Sequence, residues 1–203
     1  MRTSIKNLIT ATLTLIVLTS TTITTKADDN ALTVLADVKK VNKINVSGNV
    51  SVILVQSANE SVKVYNNYYT KNALVQQKDG ELRVSSYEKE TLIVVVYVSN
   101  LSSITASENA TIKTHGMFSA LNLDVNLSDY AKADLNTNTI SLNTNVNGNA
   151  NLTLMGSTSD YNAVVNRFSK VNMTNFVAEI TNIRAQNVNT AATFKSLALT
   201  IAE

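Results

Sequence analysis

The sequence predicts an all-β protein built as a β-solenoid, a right-handed β-helix-like stack with coils of about 20 residues. Five short stretches share one pattern, in which a polar residue, a turn-type or charged residue and a bridging residue precede a small residue. The small residues lie 21, 19, 19 and 23 positions apart. They are Ala110, Ala131, Ala150, Ser169 and Ala192. This interval is typical of a coil that stacks on copies of itself.

Apolar and polar residues also alternate along most of the chain from Asp37 onward. Leu121, Leu123, Val125 and Leu127, for example, alternate with asparagine and aspartate. A period of two indicates strands with one buried and one solvated face, and outward asparagines can form ladders between coils. Regularly spaced strands also fit a β-sandwich. The repeat favours the solenoid, because a sandwich gives no reason for the same pattern to recur.

The N-terminus reads as a secretory signal peptide over residues 1–27. Arg2 and Lys6 precede an apolar stretch, and Ala27 is a plausible cleavage point. A lead-in segment follows over 28–37, and Asp29–Val38 is the best candidate for a helix. A single β-solenoid domain is then predicted over 38–203.

Two zones are expected within this domain. Residues 38–104 form the strongest strands, with Leu92–Val96 buried on both faces. Residues 105–203 form the regular repeats, and the irregular Ala185–Ala202 closes them as a terminal cap. An earlier copy of the pattern, Ser47–Val52, precedes the first repeat by a stretch that predicts about three intervening coils.

Composition limits the partners and the location. The predicted signal peptide holds three of the 17 basic residues and none of the 15 acidic ones. The near-neutral remainder gives no basis for nucleic-acid binding. The chain contains no cysteine, so neither a disulfide nor a lipid-modified cysteine is expected. We therefore expect an exported protein, periplasmic or at the cell surface, with no stable membrane anchor after cleavage.

Catalytic, cofactor and metal sites are not expected. His115 is the one histidine, which excludes a multi-histidine metal site. Glu108 and Asp129 occupy equivalent repeat positions and could lie about 4.8 Å apart on neighbouring coils, near the separation of a retaining glycosidase pair. The next two coils carry Gly148 and Arg167 at this position, so a stacked turn of mixed charge is the simpler interpretation.

Aromatic residues beside these turns form the predicted binding face. Tyr130 and Phe168 share the bridging position of the repeat, and Tyr161 precedes another strand. Together with Asp129 and Glu108 they would give a polar-aromatic stripe suited to a polysaccharide or a surface protein. The alternative is that the aromatic rings pack over the edge of the coil.

Two segments carry a resemblance to a known family. Val41–Val52 and Gly80–Val84 resemble the head GIN domain family, exported bacterial proteins labelled as auto-transporter adhesins. The resemblance covers roughly residues 36–203. It implies a β-helix-like stack at the cell surface or in the periplasm, with no catalytic residues. The chain departs from the family where Glu108, Asp129 and Arg167 replace turn glycines.

These observations predict a non-catalytic, adhesin-like binding module of the envelope or cell surface. Two alternatives remain open. The first is a structural subunit that self-associates through a solenoid end, where Leu197–Ile201 would present unpaired backbone groups. The second is a carbohydrate-active enzyme that uses Glu108 and Asp129.

Overall fold

The computed structural model describes residues 32–35, 38, 40–65 and 73–186. Within these ranges the chain forms thirteen β-strands and no helix, so the predicted all-β class is confirmed. The predicted signal peptide, residues 189–194 of the fifth repeat and Leu197–Ile201 lie outside the described residues. The strands are β1 (Leu32–Leu35), β2 (Lys43–Gly48), β3 (Val50–Gln56), β4 (Ser61–Tyr65), β5 (Ala73–Lys78), β6 (Glu81–Ser86), β7 (Leu92–Val98), β8 (Ser103–Ala106), β9 (Thr111–His115), β10 (Phe118–Leu127), β11 (Lys132–Val146), β12 (Asn151–Asn166) and β13 (Lys170–Gln186).

The four longest strands pair in parallel, each with the next one along the chain. β10 pairs with β11, β11 with β12, and β12 with β13. Lys132 lies between Thr111 of β9 and Asn151 of β12, and Asn151 lies beside Lys170 of β13. Each of these four residues directly follows a small residue of the repeat. The intervals between the small residues of the repeat therefore equal the register offsets between the paired strands at these positions.

β10, β11 and β12 each bend once, because the alternation of buried and exposed residues slips by one position. In β13 the alternation slips twice, the first time at a register irregularity opposite β12. In β11 the buried series reaches Thr139, skips the exposed Ile140 and the half-buried Ser141, and resumes at Leu142. Two consecutive side chains point outward, so the strand turns a corner. The parts on either side of the corner form two walls around one core. The first wall comprises 111–115, 118–120, 132–139, 151–158 and 170–178, and the second comprises 103–106, 122–127, 141–146, 160–165 and 180–186.

The N-terminal half joins this sheet in an order that differs from the order of the chain. β2 lies between β6 and β8, and β3 lies between β7 and β9, all in parallel. Val46 is paired with Ala106, although the two are far apart along the chain. The prediction of about three intervening coils is therefore wrong, because the early copy lies directly beside the first repeat. The chain between them forms β4 to β7, beyond β2 and β3.

Three strands of the N-terminal half run antiparallel to their neighbours. β1 pairs with β4 and β4 with β7, while β5 pairs with β6. These pairings depart from a uniform stack of parallel coils. The expected helix at 29–38 is wrong where the chain is described, since Leu32–Leu35 form β1. The expected burial of Leu92–Val96 on both faces is also wrong, because the strand alternates and Ile93 is 42% exposed.

One aliphatic core runs between the two walls. It is made of valine, leucine, isoleucine and small alanines, with Tyr161 and Phe118 as the largest buried side chains. Burial of this apolar area is the main stabilising contribution in a chain without disulfides. Among the described residues, no helix has the length and apolar character to cross a membrane.

Candidate functional site: a groove lined by asparagine amides

A groove of about 630 Å³ crosses the outer face of the second wall. Asparagine is the most frequent residue in its lining, and the asparagines come from β10 to β13. We call it the amide groove. Its lining residues are Ser103, Asp124, Asn126, Asn143, Thr144, Asn145, Asn162, Ala163, Val164, Asn182 and Arg184.

A continuous row of side-chain hydrogen bonds forms the centre of this groove. Asn143 Nδ2 donates to Asp124 Oδ1 at 2.9 Å, Asn162 Nδ2 donates to Asn143 Oδ1 at 3.2 Å, and Asn182 Nδ2 donates to Asn162 Oδ1 at 3.3 Å. All the amides in the row point the same way. Because a carboxylate only accepts hydrogen bonds, Asp124 fixes this direction. The predicted ladder of asparagine side chains is therefore confirmed between neighbouring strands.

The sequence produces this row through strand alternation at a fixed register. Leu123, Leu142 and Tyr161 turn inward and are buried, so the residues that follow them turn outward. Parallel pairing then places Asp124, Asn143, Asn162 and Asn182 side by side, and the register irregularity in β13 brings Asn182 rather than Thr181 beside Asn162. Adjacent strands are about 4.8 Å apart, which lets neighbouring amides reach one another.

A second row runs beside the first, two residues further along each strand. Asn126 pairs with Asn145, Asn145 with Val164, and Val164 with Arg184. Asn145 Oδ1 accepts a hydrogen bond of 3.0 Å from Asn147 Nδ2, which holds the amide in place. This row changes from amides to an apolar and then a basic side chain along the stack.

The charges of the groove lie at opposite ends. Asp124 belongs to β10, at one end of the described row, and Arg184 belongs to β13 at the other. The strands between them contribute neutral amides, Thr144, Ala163 and Val164. The groove therefore carries no net charge from its lining residues.

The predicted binding face at the turns is brought together only in part. Tyr130 and Phe168 are exposed at 61% and 56%, beside the turns that connect the second wall to the first. The guanidinium of Arg167 lies 4.3 Å from the centroid of the Phe168 ring and covers one of its faces. Tyr130 thus offers the more open ring.

Tyr161 does not belong to this face, and its expected position there is wrong. It is 1% exposed, because the slip at the corner of β12 turns it inward. Its hydroxyl lies 3.0 Å from Thr144 Oγ1, and its ring contacts Phe176 edge-on at a centroid distance of 5.5 Å. Burial raises the pKa of Tyr161, and the hydrogen bond with Thr144 opposes that rise.

Glu108 and Asp129 do occupy equivalent positions in adjacent turns. Both adopt a left-handed conformation, with φ of 58° and 59°, as does Gly148 with φ of 64°. Each turn is closed between its first and fourth residues, as in the 3.0 Å bond from Ala131 N to Ser128 O. The two glycine replacements therefore keep a conformation that favours glycine.

The Asp129 carboxylate is hydrogen-bonded to two residues of the turns. Its Oδ2 accepts hydrogen bonds from Glu108 N at 3.0 Å and from Ser128 Oγ at 3.2 Å. Within the described ranges, no group of three or more metal-ligating side chains could hold an ion. His115 ends β9 on the surface. These contacts do not bring a nucleophile, a base and a group that orients the base together in one place.

The sequence predicts the ladder but not the groove. The predicted recognition face lies at the aromatic turns, whereas a concave polar surface of about 630 Å³ follows the asparagine row. The signal was present in Asp124, Asn143 and Asn162, outward polar residues that recur at a constant interval of one coil. Which residues face the groove depends on where the alternation slips, and the repeat alone does not give that position.

A family model matches most of this chain. The model described as "Putative auto-transporter adhesin, head GIN domain" covers residues 40–202. No curated protein sequence matches the chain.

Solved structures share its fold at low sequence identity. A "putative adhesin" from Parabacteroides merdae gives a TM-score of 0.64 at 14% identity, with 77% of each chain covered. A "putative adhesin" from Parabacteroides distasonis gives 0.60 at 14% identity, covering 77% of this chain and 78% of that one. A "Putative lipid binding protein" from the same species gives 0.62 at 9% identity, with the same coverage.

Proposed function

Because this chain belongs to the family described as "Putative auto-transporter adhesin, head GIN domain", we propose that it is an exported, non-catalytic binding module. Its ligand is held in the amide groove, at the cell surface or in the periplasm. Candidate ligands are an envelope polysaccharide and a surface protein. The aromatic turn residues Tyr130 and Phe168, with Glu108 and Asp129, extend the contact at the edge of the second wall.

The amide groove is the observation that carries this proposal. It joins concavity with polar groups fixed by their neighbours, since each ladder amide is held by the next one. Such preorganised donors and acceptors lower the entropy lost on binding. The groups are neutral amides on regular strands, and they suit recognition rather than proton transfer.

We propose in addition that the strands form a β-solenoid within one domain over 38–203, after removal of residues 1–27 as a signal peptide. Its support is the near-constant register offset between parallel neighbours, which equals one coil of the sequence repeat. A stack of this kind would present the same outward positions once per coil. Ligand-contacting groups would then repeat along the stacking direction.

Self-association is the second candidate function. Its support is the set of apolar side chains on β13, where Val177, Ile180 and Ile183 are each more than half exposed. A second copy covering β13 would bury them. Sedimentation at increasing concentration tests this candidate, and a monomer at every concentration would eliminate it. A carbohydrate-active enzyme using Glu108 and Asp129 is the remaining alternative, and it predicts that Asp129→Asn abolishes product release.

The test of the binding function uses the purified protein against isolated envelope fractions and a panel of polysaccharides. Both retention and release of soluble products are measured. Retention without release supports a non-catalytic binding module. Release of products would contradict it, and so would the absence of retention by every fraction.

A further inference from the structure

The amide groove carries a more specific inference about its ligand, which rests on the proposed binding function. We infer that the groove binds an extended, uncharged, hydroxyl-rich polysaccharide chain. The chain runs across the strands, parallel to the Asp124–Asn182 row, so that successive sugar rings meet successive strands.

The first reason is the periodicity of the groove. The central row places one polar side chain on each of β10, β11, β12 and β13, at the strand spacing of about 4.8 Å. A compact small molecule would contact one or two members of this row. A polymer whose ring length is close to the strand spacing can contact all of them in the same way.

The second reason is the hydrogen-bonding capacity that the ladder leaves unused. A side-chain amide has two N–H donors and two acceptor lone pairs. Asn143 and Asn162 each spend one donor and one acceptor on their ladder neighbours. Each keeps a donor and an acceptor side by side, and both residues are exposed. A sugar hydroxyl, which donates and accepts at once, matches this pair.

The third reason is charge. An anionic chain would meet the Asp124 carboxylate at one end of the row, with Arg184 as the one cationic lining residue at the other end. A cationic chain would meet Arg184 as its like charge and Asp124 as its one opposite charge. Neither an anionic nor a cationic chain would find repeated opposite charges on the strands between, where the polar row consists of amides. An uncharged chain avoids both penalties.

The fourth reason separates a polysaccharide from a protein partner. Protein interfaces concentrate their affinity in buried aromatic and arginine anchors within an apolar centre. Among the lining residues only Val164 gives exposed apolar surface, and Arg184 is the single arginine. Amides and hydroxyls that repeat along a shallow groove provide many equal, weak contacts instead, which suits a repeating chain.

The direction of the ladder adds a property that can be tested. Asp124 fixes every amide with its Nδ2 toward β10, so each exposed donor has the same orientation. Asp124→Asn keeps the shape but permits the amides to reverse. We expect this variant to bind more weakly while folding normally.

The experiment measures binding of the purified protein to soluble oligosaccharides of increasing length from neutral glucan, mannan and xylan. Polygalacturonate serves as the anionic probe, and glycan-free envelope protein as the protein probe. The test variant is Asn143→Ala and its matched control is Asn138→Ala. Both positions are exposed asparagines of β11, one on the second wall and one on the first. Thermal unfolding of each variant verifies that it folds.

We expect at least one neutral series to bind, with affinity that rises with chain length until the row is covered. Asn143→Ala should weaken binding about tenfold, which corresponds to one or two lost hydrogen bonds, and Asn138→Ala should leave it unchanged. If Asn143→Ala leaves the binding of neutral oligosaccharides unchanged, the amide groove is not the binding site. Binding of polygalacturonate or of glycan-free protein alone would overturn the ligand class while leaving the binding function intact. If no probe and no envelope fraction binds, both the ligand class and the binding function are contradicted.

Discussion

Gly148 lies against the backbone of Asp129 in the preceding turn. A Cβ added at Gly148 would come within 2.9 Å of the nitrogen and the oxygen of Asp129, and Gly148 has a φ of +64°. Glycine is therefore required here for space as well as for conformation. Glu108 and Asp129 have nearly the same φ although they carry side chains. The stacked turns therefore adopt one left-handed conformation either with glycine or with a residue that bears a side chain.

The close approach predicts a large effect of Gly148→Ala. We expect the free energy of unfolding to fall by about 2–4 kcal/mol, because strain in φ adds to a backbone clash. Gly116→Ala is the control, since Gly116 has a φ of +79° and nothing within 4 Å of the added Cβ. It should cost about 1 kcal/mol. Urea denaturation measures both, and equal losses would show that the contact with Asp129 contributes nothing.

The two non-glycine turn residues predict opposite consequences of restoring glycine. Glu108→Gly should stabilise the protein by about 0.5 kcal/mol, because relief of the left-handed conformation exceeds the added entropy of the unfolded chain. Asp129→Gly should not, since it also removes the acceptor of the Glu108 N–H and the Ser128 hydroxyl. Thermal unfolding of both variants provides the comparison. A gain from Asp129→Gly at least as large as that from Glu108→Gly would contradict this account.

The repeat was predictable because it records the register of neighbouring strands. Small residues at Ala110, Ala131 and Ala150 are completely buried and mark the end of each turn, so their spacing is the strand offset. The order of the N-terminal strands could not be read in the same way. Val46 and Ala106 are neighbours, but no local pattern indicates that β4 and β7 lie beyond β3 and that β5 and β6 lie beyond β2.

The candidate site was harder to predict than the sheet. Alternation identifies an outward residue only while its phase holds, and a slip of one position inverts every residue that follows. Tyr161 comes after such a slip and is buried, whereas Asn162 reaches the groove. Exposure of Tyr130 follows from the turn, whereas the groove combines lining residues from five different strands.

A buried hydroxyl without a partner predicts a stabilising substitution. Among the described residues, Thr137 Oγ1 is a buried polar atom with no hydrogen bond. Thr137→Val keeps the shape and should raise the free energy of unfolding by about 1 kcal/mol. Thr144→Val is the contrast, since it leaves the buried Tyr161 hydroxyl without its partner and should cost about 1–2 kcal/mol. Guanidinium unfolding distinguishes them, and a loss of stability in Thr137→Val would be incompatible with an unpaired hydroxyl.

Glu60 predicts a dependence of stability on pH. Its partial burial opposes ionisation, but hydrogen bonds from the Ser99 hydroxyl at 2.6 Å and from the N–H groups of Ser99 and Val41 outweigh it. The pKa of Glu60 is thereby lowered from its ordinary value of 4.5. A lowered pKa stabilises the fold above the unfolded-state value, and this contribution disappears as the pH falls through the folded-state value.

Glu60→Gln should therefore be less stable than the parent protein by about 1 kcal/mol near neutral pH, given its exposure to solvent. The difference should shrink as the pH falls below 4.5, because the parent carboxyl becomes neutral as well. Thermal unfolding across this pH range measures the parent protein and the variant. A Glu60→Gln deficit that stays constant into acid would assign the effect to side-chain shape rather than to charge.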